Sequence, residues 1–484
     1  MRRGRRTPAS RLVRFLPSSP ATAFGLVATV ACLTSMLVVV TSEWTGLSQE
    51  FGGLSHDGYL QLARSLLAGH GFVFEAGGDP VFHRPPLYPL LLVPVVALPE
   101  PWQRPVLVVV QSALLGGVAA LVWRIGARLF GEAAGRLAVA VMLLNPWLIW
   151  VVKNPHHAVL QTFLYTSFCW LLVQAFVPAG RDAGGGDAGR GRLRPASGSS
   201  GRLALLLGLN GGALALVHGT MLVTCGVLLA GACLWWLRTG DLRSAAGAIA
   251  AVVLMVALVA PWTARNWLTF GAFIPVVGNA GFSYFLGNAH WGIGQDPVRR
   301  GETPWEAALR HAGADPGASA AVRFWGLTDP VLDPEMTRRM LGHVRGHPDE
   351  VLRKVALNAG EYYFPLLYPL YLRSGAPDAP PWTSIVRANV RPAAITMFHG
   401  VLWALCVAAL VRRRRDRHDV RAWWAVVGLV AVFPLGYLPF LVWVGHALYA
   451  LPTIPLLSVL GSVGLGAARR REPATIADGV YAVR

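Results

Sequence analysis

Residues 22–41 read TAFGLVATVACLTSMLVVVT. No charged side chain interrupts the run. About 20 apolar residues in a helix, rising about 1.5 Å each, match the roughly 30 Å hydrocarbon core of a bilayer. The run decides the fold class, because it does not stand alone. Apolar stretches of similar kind lie near 105–123, 134–152, 158–177, 203–217, 220–237, 244–262, 393–410, 422–440 and 442–466, with a shorter one at 86–99. There is no internal repeat. The pattern predicts an all-α, polytopic membrane protein of about 10–12 transmembrane helices.

Composition agrees. The chain has 484 residues, 54% hydrophobic and 14% charged, where a soluble domain carries about 25% charged residues. Its mean hydropathy is +0.47. The net charge of +18 would suggest nucleic acid in a soluble protein. Here Arg is concentrated in short segments between apolar runs, which the positive-inside rule explains without a nucleic-acid partner. Of 43 basic residues only Lys153 and Lys354 are Lys. The five Cys (Cys32, Cys169, Cys225, Cys233, Cys406) all fall in apolar runs and form no metal spacing, so they read as small buried hydrophobes.

The basic clusters set an expected topology. MRRGRRTPASRLVR precedes the first run and reads as the cytoplasmic side of a signal anchor. The segments 178–202, 237–243 and 411–421 and the tail are also Arg-rich and are expected in the cytoplasm. This divides the chain into a basic cytoplasmic N-terminus (1–21), an N-terminal membrane module (22–262), an extracytoplasmic region (263–392), C-terminal membrane helices (393–467) and a cytoplasmic tail (468–484). The first module contains an outer loop at 42–85 and a Gly-rich cytoplasmic linker at 178–202. The linker and the outer loop require an odd number of crossings between them, yet four apolar stretches intervene. The short run 86–99 is therefore expected to be re-entrant, strongly tilted, or fused with the next run.

The outer loop carries the first candidate site. LSHDGYLQLARSLLAGHGF (54–72) places apolar residues at 59, 62, 63, 66 and 67, a helical spacing. Gly69 or Gly71 can end that helix, and Ser55 or Asp57 can cap its start. Asp57 thus reads either as an N-cap or as a general base taking the proton of an acceptor hydroxyl. The two roles are compatible, since a helix N-terminus keeps a carboxylate ionised.

In GGDPVFHRPPLYPLLLVP (77–94), Pro85 and Pro86 stop local structure at the start of an apolar run. His83 and Arg84 then sit at a membrane boundary. Arg84 reads as a side chain snorkelling to headgroups, or as a bidentate holder of a lipid-linked phosphate.

The span of 244–262 is expected to end at Pro261 and Trp262, with Arg265 and Asn266 one turn beyond. GNAGFSYFLGNAHWG (278–292) reads as a loop whose amides, Asn279 and Asn288, and aromatic rings suit a sugar or an ordinary packed surface. VLRKVALNAGEYYFPLLYPLYL (351–372) suits an interfacial helix. NPWLIWVVKNPHHAVL (145–160) places Lys153, His156 and His157 between two spans. A polar turn is the better reading there, as it is for His218 in VHGTM. No GxGxxG, Walker-A, HExxH or GxSxG pattern occurs in a supporting context, so nucleotide-dependent chemistry has no sequence support.

Taken in order, four stretches resemble one family. They are HDGYLQLARSLLAGHGF with RPPLYPLLL, RIGARLFGEAAGRLAVAVMLLNP (124–146), PWTARNWLTFGAFIPVVGNAGFSYFLGN, and YALPTIPLLSVLG (449–461). The chain resembles the GT-C-fold, polyprenyl-phosphate-dependent glycosyltransferases. Within them it is most similar to the bacterial branch of the protein O-mannosyltransferase and aminoarabinose transferase superfamily.

The resemblance implies a multi-pass protein of the plasma membrane, with both termini cytoplasmic and an extracytoplasmic active site. Asp57 matches the family's catalytic acid, and His56 stands where many members carry a second one. Arg84 matches the basic residue before the Pro-Pro turn. Tyr59, Arg265, Asn266, Asn279 and Asn288 fall in the matching stretches, and His83 directly before one of them, as candidate substrate-binding residues. Where relatives carry an Arg-Tyr-Arg-like run, this chain has Leu448, Tyr449 and Ala450, with Arg265 or His446 as the substitute.

The implied partners are a polyprenyl-phosphate-sugar donor, a glycan, lipid or protein acceptor, and membrane lipids. No cofactor is assigned, and a requirement for a divalent metal stays open. A flippase of lipid-linked saccharide and an inactive scaffold of the same fold are the rival readings. The clustering of ionisable residues at span ends favours the enzyme over a transporter.

Overall fold

In the computed structural model, the described residues are 16–44, 58–145, 148, 151–177, 200–289, 322–323, 326–327, 332–363, 391–416, 420–436, 438 and 450–465. They are almost entirely helical. The only strands among them are the two-residue pair β1 (Val322–Arg323) and β2 (Gly326–Leu327). The predictions for His56, Asp57 and His446, and for the side chain of Asn288, lie outside the described residues.

The N-terminal half contains α1 (Pro20–Trp44), α2 (Tyr59–Leu67), α3 (Leu87–Val96), α4 (Glu100–Phe130), α5 (Glu132–Leu143), α6 (Ala158–Phe176), α7 (Ser200–Val217), α8 (Thr220–Thr239) and α9 (Leu242–Phe270). Then come α10 (Ala280–Ala289), α11 (Leu332–Gly346), α12 (Pro348–Tyr363), α13 (Arg391–Asp416), α14 (Val420–Val432) and α15 (Ile454–Gly464). Among the described residues, α1, α4, α6, α8 and α9 are long and apolar enough to cross a bilayer, and five shorter apolar helices accompany them. The protein is a multi-pass membrane protein.

Burial separates inner from outer helices. α15 is buried along its whole length, packed against α5 and α13. Its hydroxyls are satisfied within the helix, Ser458 donating to the Ile454 carbonyl at 2.8 Å and Ser462 to that of Val459 at 2.7 Å. By contrast, Leu33 and Leu37 on α1 are each 65% exposed and Leu268 on α9 is 83% exposed. In a bilayer such faces meet acyl chains as apolar as themselves. Small residues allow close crossings where no apolar burial drives them. α1 lies along α4 at Gly116, where a Cβ would come within 2.8 Å of the Phe24 carbonyl oxygen.

Several sequence expectations need correction. The run 86–99 is not fused with the next run. α3 closes at Ala97, and Pro99, at φ −52° and ψ 141°, separates it from α4. Ten residues rise only about 15 Å, too short for an upright span. α3 instead packs on α2, with Tyr88, Leu92, Val95 and Val96 buried against Tyr59, Leu60 and Ala63. The N-cap of α2 is Gly58, at φ 74° and without a side-chain cap bond, so neither Ser55 nor Asp57 occupies that position.

α9 does not stop at Pro261. It continues through Arg265 and Asn266 to Phe270 and ends at Gly271, φ 65°. Side chains of its last turns hold the returning chain: Trp262 Nε1 donates to the Val276 carbonyl at 2.8 Å and Thr263 Oγ1 to that of Pro275 at 2.7 Å. These tertiary bonds outweigh the stop signal of a helix-interior proline. Nor is 278–292 a loop throughout, since 280–289 form α10 with Phe282, Tyr284 and Phe285 fully buried. The five cysteines are free, and Cys32 and Cys233 are only partly buried.

Candidate functional site

The site begins where α2 begins. Gly58 turns the chain in a left-handed conformation that favours glycine, and Tyr59 enters the interior as the first helical residue. Its hydroxyl lies 3.0 Å from His157 Nδ1. Its ring meets Tyr88 edge-on at 5.1 Å, and the guanidinium of Arg84 sits 5.6 Å from its centroid. That guanidinium also donates to the His83 carbonyl at 3.2 Å. Arg84 is only 9% exposed, so it does not reach outward as a snorkelling side chain would. Its cation faces the electron-rich face of Tyr59 inside the protein.

His156, His157 and His218 complete the group, although the sequence presented them as polar turns. His156 stacks on His157 with ring centroids 4.3 Å apart, and His218 lies 5.2 Å from His157. His156 Nδ1 accepts from the Ala158 amide at 3.1 Å, and His218 Nδ1 pairs with Thr220 Oγ1 at 2.9 Å.

Burial holds the His157 imidazole well below its ordinary pKa, and His156, His218 and Arg84 depress it further. His218 falls to about 3, again chiefly through burial and then through His156 and Arg84. Both rings are neutral at neutral pH. The floor beneath is polar: Tyr88 donates to Gln111 Oε1 at 3.3 Å, and Gln111 Nε2 donates to the Val152 and Asn154 carbonyls at 2.8 and 2.7 Å. Lys153 is buried in the same turn. Gln111 was the one signal available in advance, an amide inside a long apolar run.

Arg265 belongs to the adjoining wall. It lies 4.9, 5.1 and 5.7 Å from the ring centroids of Trp262, Phe270 and Phe72. It donates to the Val81 carbonyl at 2.9 Å and to Asn266 Oδ1 at 3.0 Å. Asn266 in turn donates to the Ile274 and Val276 carbonyls at 3.0 and 3.3 Å. Val81 is three residues from Arg84, so Arg265 grips the strand of chain that presents Arg84. Asn279 sits nearby, because the preceding Gly278 amide donates to the Phe82 carbonyl at 3.1 Å. No group of three or more His, Cys, Asp or Glu among the described residues is placed to hold a metal ion.

The fold defines a class, the helical membrane proteins of GT-C-like architecture. No protein-family model matches the chain, and no curated protein matches it significantly. Solved structures do. The apo oligosaccharyltransferase of Archaeoglobus fulgidus aligns with 92% of this chain and 50% of its own length, at 12% identity and a TM-score of 0.50. ArnT from Cupriavidus metallidurans, bound to undecaprenyl phosphate, aligns with 92% of this chain and 77% of its own length, at 16% identity and a TM-score of 0.39. A second structure of the archaeal enzyme, AglB with an inhibitory peptide and a dolichol-phosphate, gives 11% identity and a TM-score of 0.46, with 84% of this chain and 45% of that one covered. The chain thus spans about half the length of the oligosaccharyltransferase. The likeness is one of fold.

Proposed function

We propose that the protein is an integral membrane glycosyltransferase that moves a sugar from a polyprenyl-phosphate donor to an acceptor hydroxyl outside the cytoplasm. The observation that carries this reading is Arg84. A buried guanidinium, held over Tyr59 and close enough to His157 and His218 to disfavour a positive charge on either, is suited to an anionic group and poorly suited to an apolar core. It stands directly before the Pro85–Pro86 turn that opens α3. A lipid-linked phosphate enters such a site from the bilayer. The ArnT and AglB structures hold undecaprenyl phosphate and dolichol-phosphate, and the same chemical class is proposed for this chain.

In this reading Arg84 binds the donor phosphate, and Arg265 positions Arg84 by fixing Val81. The phosphate is also the leaving group, and a preorganised cation beside it stabilises the charge that develops as the sugar departs. Asp57, two residues before Tyr59, is the general base that removes the acceptor proton, and transfer inverts the anomeric carbon. Tyr59 and His83 line the donor side. Asn279, and with it the region 263–392, contributes to acceptor choice.

The test is transfer from a radiolabelled polyprenyl-phosphate sugar by the purified protein in lipid. Asp57→Asn is expected to insert normally and to abolish transfer. Full activity in that variant excludes Asp57 as base, and absence of any transfer or binding by the wild type favours a scaffold.

A further inference from the structure

The donor proposed above is a phosphodiester and carries one negative charge. Transfer forms a bond from the acceptor oxygen to the anomeric carbon and breaks the bond from that carbon to the phosphate oxygen, which keeps the electron pair. The acceptor hydroxyl loses one proton. The lipid is left as a phosphate monoester, which carries a second negative charge above its second pKa of about 6. The chemistry therefore adds one charge at the phosphate and liberates one proton.

The groups around Arg84 are arranged to answer that change. His157 is 6% exposed. It faces Tyr59 from α2, Arg84 from the turn before α3, His218 from the turn between α7 and α8, and the stacked ring of His156 from its own turn. Among the described residues, every charged or chargeable neighbour that perturbs it electrostatically, Arg84, His156 and His218, opposes a positive charge on it. A phosphate with one charge meets one guanidinium, and the imidazoles stay neutral. A second negative charge beside them offsets the penalty of burial and of the neighbouring cation by favouring the protonated form. Tyr59 tolerates either state, since its hydroxyl can donate to neutral Nδ1 or accept from a protonated one.

We propose that the His156–His157–His218 cluster takes up one proton when the phosphate beside Arg84 becomes a monoester, binding the leaving lipid phosphate with one imidazolium in the cluster while binding the donor diester unprotonated. This rests on the donor reading above. An interaction made with the charge of the leaving group and not with the ground state is of the kind that accelerates transfer.

The experiment is titration calorimetry of the full chain in nanodiscs at pH 7.5, in two buffers of different ionisation enthalpy. The probes are farnesyl monophosphate and its methyl phosphodiester. The monophosphate is expected to bind with uptake of about one proton and to weaken about tenfold per pH unit above neutrality, the limit for one linked proton. The diester is expected to bind without uptake and without that slope. In His157→Gln/His218→Gln, both probes should bind, with the proton count and slope lost. His218→Gln alone should reduce both.

Monophosphate binding without proton uptake by the wild type overturns the proposal whatever the variants do. So does uptake that survives in the double variant with a bound 31P shift of a protonated phosphate. Failure of both probes to bind the wild type overturns the donor reading instead.

Discussion

Tyr59 and His157 are 98 positions apart in the chain, and a 3.0 Å hydrogen bond joins them in the interior. The bond ties the first turn of α2 to the N-terminus of α6, and the Tyr59 ring simultaneously carries Arg84. Tyr59→Phe keeps the ring and removes the bond. It should cost about 1 kcal/mol of stability, the net worth of a neutral hydrogen bond, while leaving the cation–π contact in place. Thermal unfolding in detergent reads the first effect. An unchanged midpoint would mean that the bond contributes no net stability.

Arg84 and Arg265 differ in kind, and their substitutions should separate. Arg84→Lys keeps the charge but loses the planar fork, and is expected to lower donor affinity at least tenfold with a nearly unchanged unfolding midpoint. Arg265→Met removes bonds to Val81 and Asn266 and a cation enclosed by three aromatic rings. It should lower the midpoint first and activity as a consequence. Equal stability losses in the two variants would contradict this division.

Lys354 supplies a pH prediction away from the site. It is fully buried on α12, donates to the Tyr284 carbonyl at 3.3 Å and sits 4.5 Å from that ring's centroid. Burial lowers its pKa from 10.5 to about 6. The unfolded chain therefore binds one more proton than the folded chain between pH 6 and 10.5. Stability contributed by this group rises with pH across that window, by up to about 1.4 kcal/mol per pH unit, and is flat below it. Unfolding midpoints from pH 6 to 9 should climb in the wild type. The climb should be shallower in Lys354→Met, and identical slopes would show that Lys354 is not the group responsible.

The crossing of α1 over α4 depends on Gly116. Gly116→Leu would drive a side chain into the Phe24 backbone, where even a Cβ comes within 2.8 Å. A cost of about 1–3 kcal/mol is expected from overpacking, read as a lower midpoint and reduced membrane yield. The same substitution at Gly226, where an added Cβ meets nothing within 4 Å, is the control.

Reading the chain as a membrane protein required only composition and run length, because a span must satisfy its own backbone and hide its polar groups over a set thickness. The helix at 59–67 was visible in its spacing for a similar reason, since one face is buried against α3. Pro261 misled because a proline removes one helix bond, while Trp262, Thr263 and Asn266 add several tertiary ones from the same turns. The stretch 278–292 misled because glycine and asparagine flank aromatic residues whose burial against α11 outweighs their turn preference.

What the sequence by itself determined is therefore the membrane class and most of the apolar helices. Each of these follows from local pattern acting over a turn or a span. Only the tertiary structure decided that His157 and His218, from two separate turns, stand with Tyr59 and Arg84 in one buried group. A histidine in a turn reads as a polar residue until its neighbours are known. Desolvation and the proximity of other cations, which set its charge, are properties of the packed structure.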